Sequence, residues 1–137
     1  MHKTTSVESM TAALDVGVTK SGAPAGMAKL TPLHREVVDT LPRSAAQEIR
    51  VIRATLLPGD VTPYHSHRFP VTVHMTRGVF TLALDGREPV RIAAGESFVE
   101  PAHVNMTGSN EGSETAEMVL FYVCEPDEPF ADPAARG

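Results

Sequence analysis

The sequence predicts an all-β fold, a sandwich or small β-barrel, on three observations. Short apolar runs recur about every ten residues. They are rich in Val, Ile, Thr and Phe, which fit a pleated, half-buried surface. Pro and Gly separate them, and most are too short to form stable helices.

The runs are Leu33–Leu41, Glu48–Leu57, Val71–Thr76, Val79–Leu84, Pro89–Ile92, Ser97–Glu100 and Ala116–Cys124. Asp85-Gly86 stands between two of them. Phe80, Leu82 and Leu84 alternate before it, Val90 and Ile92 after it, so a two-residue hairpin is expected there. Pro58-Gly59 and Ala94-Gly95 mark two more turns. The run MVLFYVC is apolar at odd and even positions, which predicts a central strand. Three prolines after Glu125 argue that the tail cannot continue a sheet.

Residues 1–30 are small and polar and read as a loosely docked arm, with residues 31–137 as the barrel and its Pro-rich tail. Within the arm, Thr5 and Glu8 have capping-box spacing, and Val7, Met10 and Leu14 share one helical face. A short helix over 5–14 is the alternative to an irregular arm.

Composition narrows the function. The chain has 137 residues, enough for one domain with its own core. Seventeen acidic against twelve basic residues leave a net charge of −5, with no basic cluster. Nucleic acid and anionic membrane are therefore not expected partners. Cys124 is the single cysteine, so no internal disulfide forms. It ends a run that reads as buried, so an inert thiol is expected. No signal-peptide pattern and no apolar stretch of spanning length occurs, and a cytoplasmic protein is expected.

The chemistry concentrates in Gly59-Asp-Val-Thr-Pro-Tyr64-His65-Ser-His67. On a strand, residues two apart share a face, so His65 and His67 project together. Imidazole is the commonest protein ligand for transition metals, so the pair is a candidate metal site. Tyr64 and Asn105 are candidate pocket donors. Glu100 shares a face with Phe98. It is read as a rim carboxylate, with a pocket acid as the alternative.

Gly59, five residues, His65-x-His67 and then Gly78 resembles the first motif of the cupins. Gly95, five residues, Pro101 and then Asn110 resembles their second motif. The resemblance covers roughly residues 33–125 and implies a double-stranded β-helix, a small jelly roll. It also implies a homodimer. The family's glutamate ligand falls on Val71, its second-motif glycine on His103 and its second-motif histidine on Met106. The metal motif is thus degenerate. His65 and His67 are the carried-over ligands, and His74, His103 and Met106 are candidate additions. The bound ion would be a divalent transition metal: Zn, Ni, Fe, Mn or Cu. A soft thioether at Met106 would suit copper. For His74 to join, a bulge must reverse its facing relative to Val71.

Three functions follow. The first is a small-molecule-binding cupin with a weak or altered metal site, its barrel lined by Tyr64, Val71, Val73, Met75, Phe98 and Met106. The second is a metal-dependent enzyme of isomerase, lyase or dioxygenase type. The third is a dimeric structural or regulatory module.

Overall fold

A computed structural model describes residues 26–136. By contacts the chain divides into two units, residues 1–37 and 38–137. The described part of the first unit, residues 26–37, contains neither helix nor strand. The run expected at Leu33–Leu41 therefore forms no strand. Its Leu33, Val37 and Leu41 are exposed. The helix considered for residues 5–14 lies outside the described residues.

The second unit is built entirely from antiparallel strands. They are β1 (Glu48–Leu56), β2 (His65–Ser66), β3 (Val71–Arg77), β4 (Val79–Leu84), β5 (Val90–Ala93), β6 (Ser97–Glu100), β7 (Met106–Ser109), β8 (Ala116–Cys124) and β9 (Asp132–Pro133). Two sheets form, in the orders β1-β8-β3-β6 and β5-β4-β7-β2-β9. This is the predicted jelly roll.

Alternation decides which side chains meet between the sheets. The first sheet turns Leu56, Val71, Val73, Met75, Met118, Leu120 and Tyr122 inward. The second contributes Phe80, Leu82, Leu84, Ile92 and Met106. These residues form one continuous apolar core. Each fully buried aliphatic side chain contributes roughly 1.5–3 kcal/mol, so burial between the sheets is a main favourable contribution to the sandwich.

β8 is central, between β1 and β3. Only one of its faces is buried, however, and Phe121 on the other is 44% exposed. In an antiparallel sheet one face can remain apolar and uncovered, so a doubly apolar run does not require double burial. The Asp85-Gly86 turn also differs from expectation. Leu82 is the last β4 residue to pair with β5, and β4 runs on to Leu84, so the connection spans 85–89. Only Gly86 takes a positive φ there, in a β-turn closed by Arg87 N–H to Leu84 C=O at 3.2 Å.

The tail is a larger correction. Despite its prolines, β9 pairs with β2, matching His65 with Pro133 and Ser66 with Asp132. β9 is the outermost strand of its sheet, so the N–H that Pro133 lacks has no ladder bond to make.

Two motif residues serve the frame. Gly78 follows the β3 bulge with φ of 72°, and a Cβ there would lie 2.5 Å from the Thr115 carbonyl oxygen. Asn110 is 1% exposed. Its amide donates to the carbonyls of Leu56 and Glu114, and its oxygen accepts from the Gly112 amide, all at 2.9 Å. Gly78→Ala should cost about 1–3 kcal/mol in denaturant unfolding, because both conformation and space oppose a side chain. Asn110→Ala should cost at least as much, having removed three bonds at a buried position. An unchanged unfolding midpoint in either variant would contradict these roles.

Candidate metal centre

The histidine pair lies near the edge of the second sheet, where β2 is two residues long. His65 opens β2 and pairs with Met106 of β7. His67 lies just beyond the strand, where its carbonyl accepts from the His103 amide at 2.8 Å. The two rings meet edge to face with centroids 4.8 Å apart. His65 is half-buried and His67 is 1% exposed.

Glu100 joins them. It ends β6 and is 5% exposed. Its Oε1 lies 3.2 Å from Nε2 of His67. One ligand atom from each of His65, His67 and Glu100 falls within 4.8 Å of the others. Glu100 is therefore a buried acid, not the rim carboxylate expected. Its cross-strand partner on β3 is Val71. Directly opposed residues share a face about 5 Å apart. A carboxylate is thus present beside the place where the family pattern puts one, supplied by the neighbouring strand.

Hydrogen-bond partners set the tautomers. Nδ1 of His67 lies 2.7 Å from the Phe130 carbonyl, and Nδ1 of His65 lies 2.5 Å from the Pro63 carbonyl. A carbonyl only accepts, so both Nδ1 atoms donate. A neutral ring then carries its lone pair on Nε2. In His67 that lone pair faces a carboxylate oxygen, which when ionised is also an acceptor. Two buried acceptors 3.2 Å apart require a proton or a cation between them. A metal fits the spacing of this pair, since donors each bound at about 2.1 Å, at angles of about 90–110°, stand roughly 3.0–3.4 Å apart. The full group spans up to 4.8 Å, so its ligand atoms must draw together to share one ion.

The C-terminal segment straps this end of the barrel. The chain turns at Asp127, whose amide donates to Glu48 Oε1 at 2.8 Å. The Phe130 ring then stacks 4.7 Å from the His67 ring and 5.2 Å from Tyr122. Arg68 fastens the strap, donating to both Asp132 oxygens at 3.0 and 3.1 Å and to Glu128 at 3.1 Å. The Tyr122 hydroxyl is buried without a hydrogen-bond partner among the described residues, and burial raises its pKa. Burial likewise pushes the Cys124 thiol up, in keeping with an inert cysteine.

The other sequence candidates lie elsewhere. His74 donates to or accepts from Ser97 Oγ at 2.8 Å, on the opposite face of β3 from the buried Val71, Val73 and Met75. The bulge falls between Met75 and Arg77, beyond His74, and does not reverse it. His103 is exposed in a turn with φ of 61°. Neither belongs to the three-residue group. Met106, Val71, Val73 and Met75 are fully buried in the packed core, and Phe98 packs against it. Tyr64 donates to Asp85, with the Arg136 guanidinium 4.2 Å above its ring.

Two surface cavities are instead walled by other residues. One, about 520 Å³, lies among Thr81, Thr107, Ser109, Arg91 and Arg136. The other, about 300 Å³, is walled by Thr62, Pro63, His65, Phe130, Ala131 and Pro133. His65 is its link to the metal centre. Nothing in the sequence pattern pointed to Ala131 or Pro133, because the strap meets β2 only in the folded chain.

Two antiparallel sheets around one apolar core, with a histidine pair at the edge of one, define a protein of double-stranded β-helix class. Residues 52–122 match the family model for the cupin domain, and the chain belongs to that family. Comparison with curated proteins gives no match. Among solved structures, the chain is similar to an RmlC-like cupin family protein from Methanocaldococcus jannaschii. The two are 24% identical with a TM-score of 0.54, over 57% of this chain and 72% of that one. It is also similar to the polyketide cyclase RemF from Streptomyces resistomycificus, at 18% identity and TM-score 0.57, over 68% of this chain and 65% of that one. A third is the DMSP lyase DddQ from Ruegeria pomeroyi, at 12% identity and TM-score 0.55, over 73% of this chain and 59% of that one. At such identities the likeness establishes the fold, and the differing activities belong to those proteins.

The strap should respond to acid. Its hydrogen bonds to Arg68, and then the charge of that guanidinium, hold the Asp132 carboxyl below the usual carboxylate range. A depressed folded pKa stabilises above the ordinary value of about 3.9 and is lost as pH falls through the folded value. Amide exchange at Phe130, Ala131, Asp132 and Ala134 should therefore be flat from neutral pH to about 5 and rise, after correction for intrinsic rates, below about 4. In Arg68→Ala exchange should already be faster at neutral pH and the acid rise should be smaller, because the carboxyl is no longer held below its ordinary range. Identical profiles would show that Arg68 does not fasten the strap.

Proposed function

We propose that the chain is a small-molecule-binding cupin with a divalent transition-metal centre formed by His65, His67 and Glu100. One observation carries this reading: a ring nitrogen of His65, one of His67 and a Glu100 carboxylate oxygen converge within 4.8 Å, with His67 Nε2 at 3.2 Å from the carboxylate and both Nδ1 atoms hydrogen-bonded to carbonyls. Such backbone bonds orient ligating imidazoles and fix their tautomer. Two imidazoles and one carboxylate, with positions left open, suit Fe(II), Mn(II), Ni(II) or Zn(II). The bound ion would supply Lewis-acid polarisation of an oxygen donor on the ligand.

The residues' own parts are distinct. His67 is the buried anchor, fixed from behind by the Phe130 carbonyl. His65, half-buried, forms the accessible side. Glu100 supplies negative charge that lowers the net charge of the bound cation. Phe130 and the strap limit water at the His67 ring. This arrangement favours metal-dependent binding or catalysis over a purely structural module.

We further propose a cytoplasmic homodimer. Its support is an uncovered apolar patch on the outer face of the first sheet, where Ile49, Val51 and Phe121 are 76, 65 and 44% exposed. Val51 and Phe121 are direct cross-strand partners there. Exposed apolar clusters of this kind commonly mark contact sites.

Protein purified without added metal should carry near-stoichiometric transition metal, measured by elemental analysis, or take it up on loading. Glu100→Gln should weaken metal affinity at least tenfold by titration, and His65→Ala/His67→Ala should abolish binding, since ligand loss exceeds the 10–100-fold typical of outer-shell changes. No uptake of Zn, Ni, Mn or Fe by the unaltered chain would rule out the centre. Light scattering should give a dimer, and Val51→Lys should shift it toward monomer. A monomer in both would refute the proposed assembly.

A further inference from the structure

The interior positions expected to line a ligand cavity are occupied by packed core side chains, so the ligand must be sought elsewhere. Val71, Val73, Met75 and Met106 are each 0% exposed and belong to the core cluster. The cleft of about 300 Å³ beside His65 is the cavity that shares a residue with the metal centre. One wall is the stretch before β2, the other the C-terminal strap.

The chemistry of its walls is restrictive. Its lining residues include no Lys, Arg, Asp or Glu. Thr62 offers the one side-chain hydroxyl, and that group is already engaged. It accepts from the Gly108 amide at 2.8 Å and donates to the Pro63 carbonyl at 3.2 Å. The Pro63 carbonyl in turn accepts from His65. Two prolines contribute flat, rigid apolar surface without an N–H, and Phe130 adds an aromatic face. A charge on the part of a ligand that lies within the cleft would lose hydration without gaining a partner. A volume near 300 Å³ is at the small end for ligand pockets.

We propose that this cleft is the ligand site, and that it takes a small uncharged molecule: a single aromatic or alicyclic ring bearing an oxygen-donor head. The ring lies between Pro63, Phe130 and Pro133, and the head points past His65 to the metal. Ala131 sits in the strap wall and sets how much ring the cleft accepts. The proposal rests on the metal-centre reading for the head group and is independent of it for the ring.

Two hydroxamates separate these parts, because they present the same chelating head with and without a ring. On metal-loaded protein, benzohydroxamic acid should bind at least tenfold more tightly than acetohydroxamic acid by calorimetry. Ala131→Glu and Ala131→Phe, one charging the wall and one filling it, should bring benzohydroxamate down to the acetohydroxamate level. Thermal unfolding of both variants checks that they remain folded. Equal affinity of the two hydroxamates for the unaltered protein would overturn the proposal, as would an advantage that survives both substitutions. If the chain takes up no metal, the metal-centre reading fails, and the ring site is judged with benzyl alcohol on the metal-free protein. Saturable amide shifts at Thr62, His65 and Ala131 that vanish in Ala131→Phe would uphold the cleft. Absence of such shifts would overturn it.

Discussion

One buried imidazole holds this end of the molecule together. His67 follows the short β2 strand of the second sheet and reaches Glu100 on the first. Its Nδ1 donates to the strap at Phe130, its ring packs against the Phe130 ring, and its carbonyl receives the His103 turn. Removing it would leave the buried Glu100 carboxylate without its partner. It would also remove the Phe130 carbonyl's donor, and a buried polar group left unpaired costs about 1–3 kcal/mol. The same residue thus supports the sheets, the strap and the site.

The constraint on His67 also gives the site its chemistry. With Nδ1 committed to a carbonyl, Nε2 is the only position left to meet Glu100. Burial makes an unbridged pair of acceptors expensive there, whereas the same pair on the surface would simply bind water. His65 repeats the arrangement at the solvent side, with Pro63 as its carbonyl. The histidine pair is therefore graded, from a dry, buried His67 to a half-buried His65. The cleft beside His65 extends that grade into an apolar surface that a ligand can reach.

The strap connects these features to stability. β9 covers the free edge of β2, which would otherwise present unpaired backbone groups. Its prolines do not oppose this, because an edge strand needs donors on one side only. Arg68, bonded to both oxygens of Asp132, adds a directional fastening whose geometry suits a guanidinium and not an ammonium. The part of the chain with the least regular sequence thus completes both the sheet and the pocket.

The strands at β1, β3, β4, β5, β6 and β8 were legible from alternation and turn residues, since these are local consequences of a period of two and of positive φ. His65 and His67 were legible for the same reason: residues two apart share a face. The short β2 and β9 carry no period long enough to read, and the exposed run at Leu33–Leu41 resembles a strand in composition alone. Glu100 was misread because alternation within β6 gives its facing but not what lies across from it. Only the β3–β6 register sets it opposite Val71 and beside His67. The cleft was invisible for a related reason, since Phe130, Ala131 and Pro133 lie over sixty residues from His65 in the chain. From the sequence came most of the strands, their alternation and the histidine pair, because those depend on neighbours along the chain. The tertiary structure alone decided the carboxylate beside the histidines, the filled interior and the cleft beside His65, because those depend on which strands become neighbours in space.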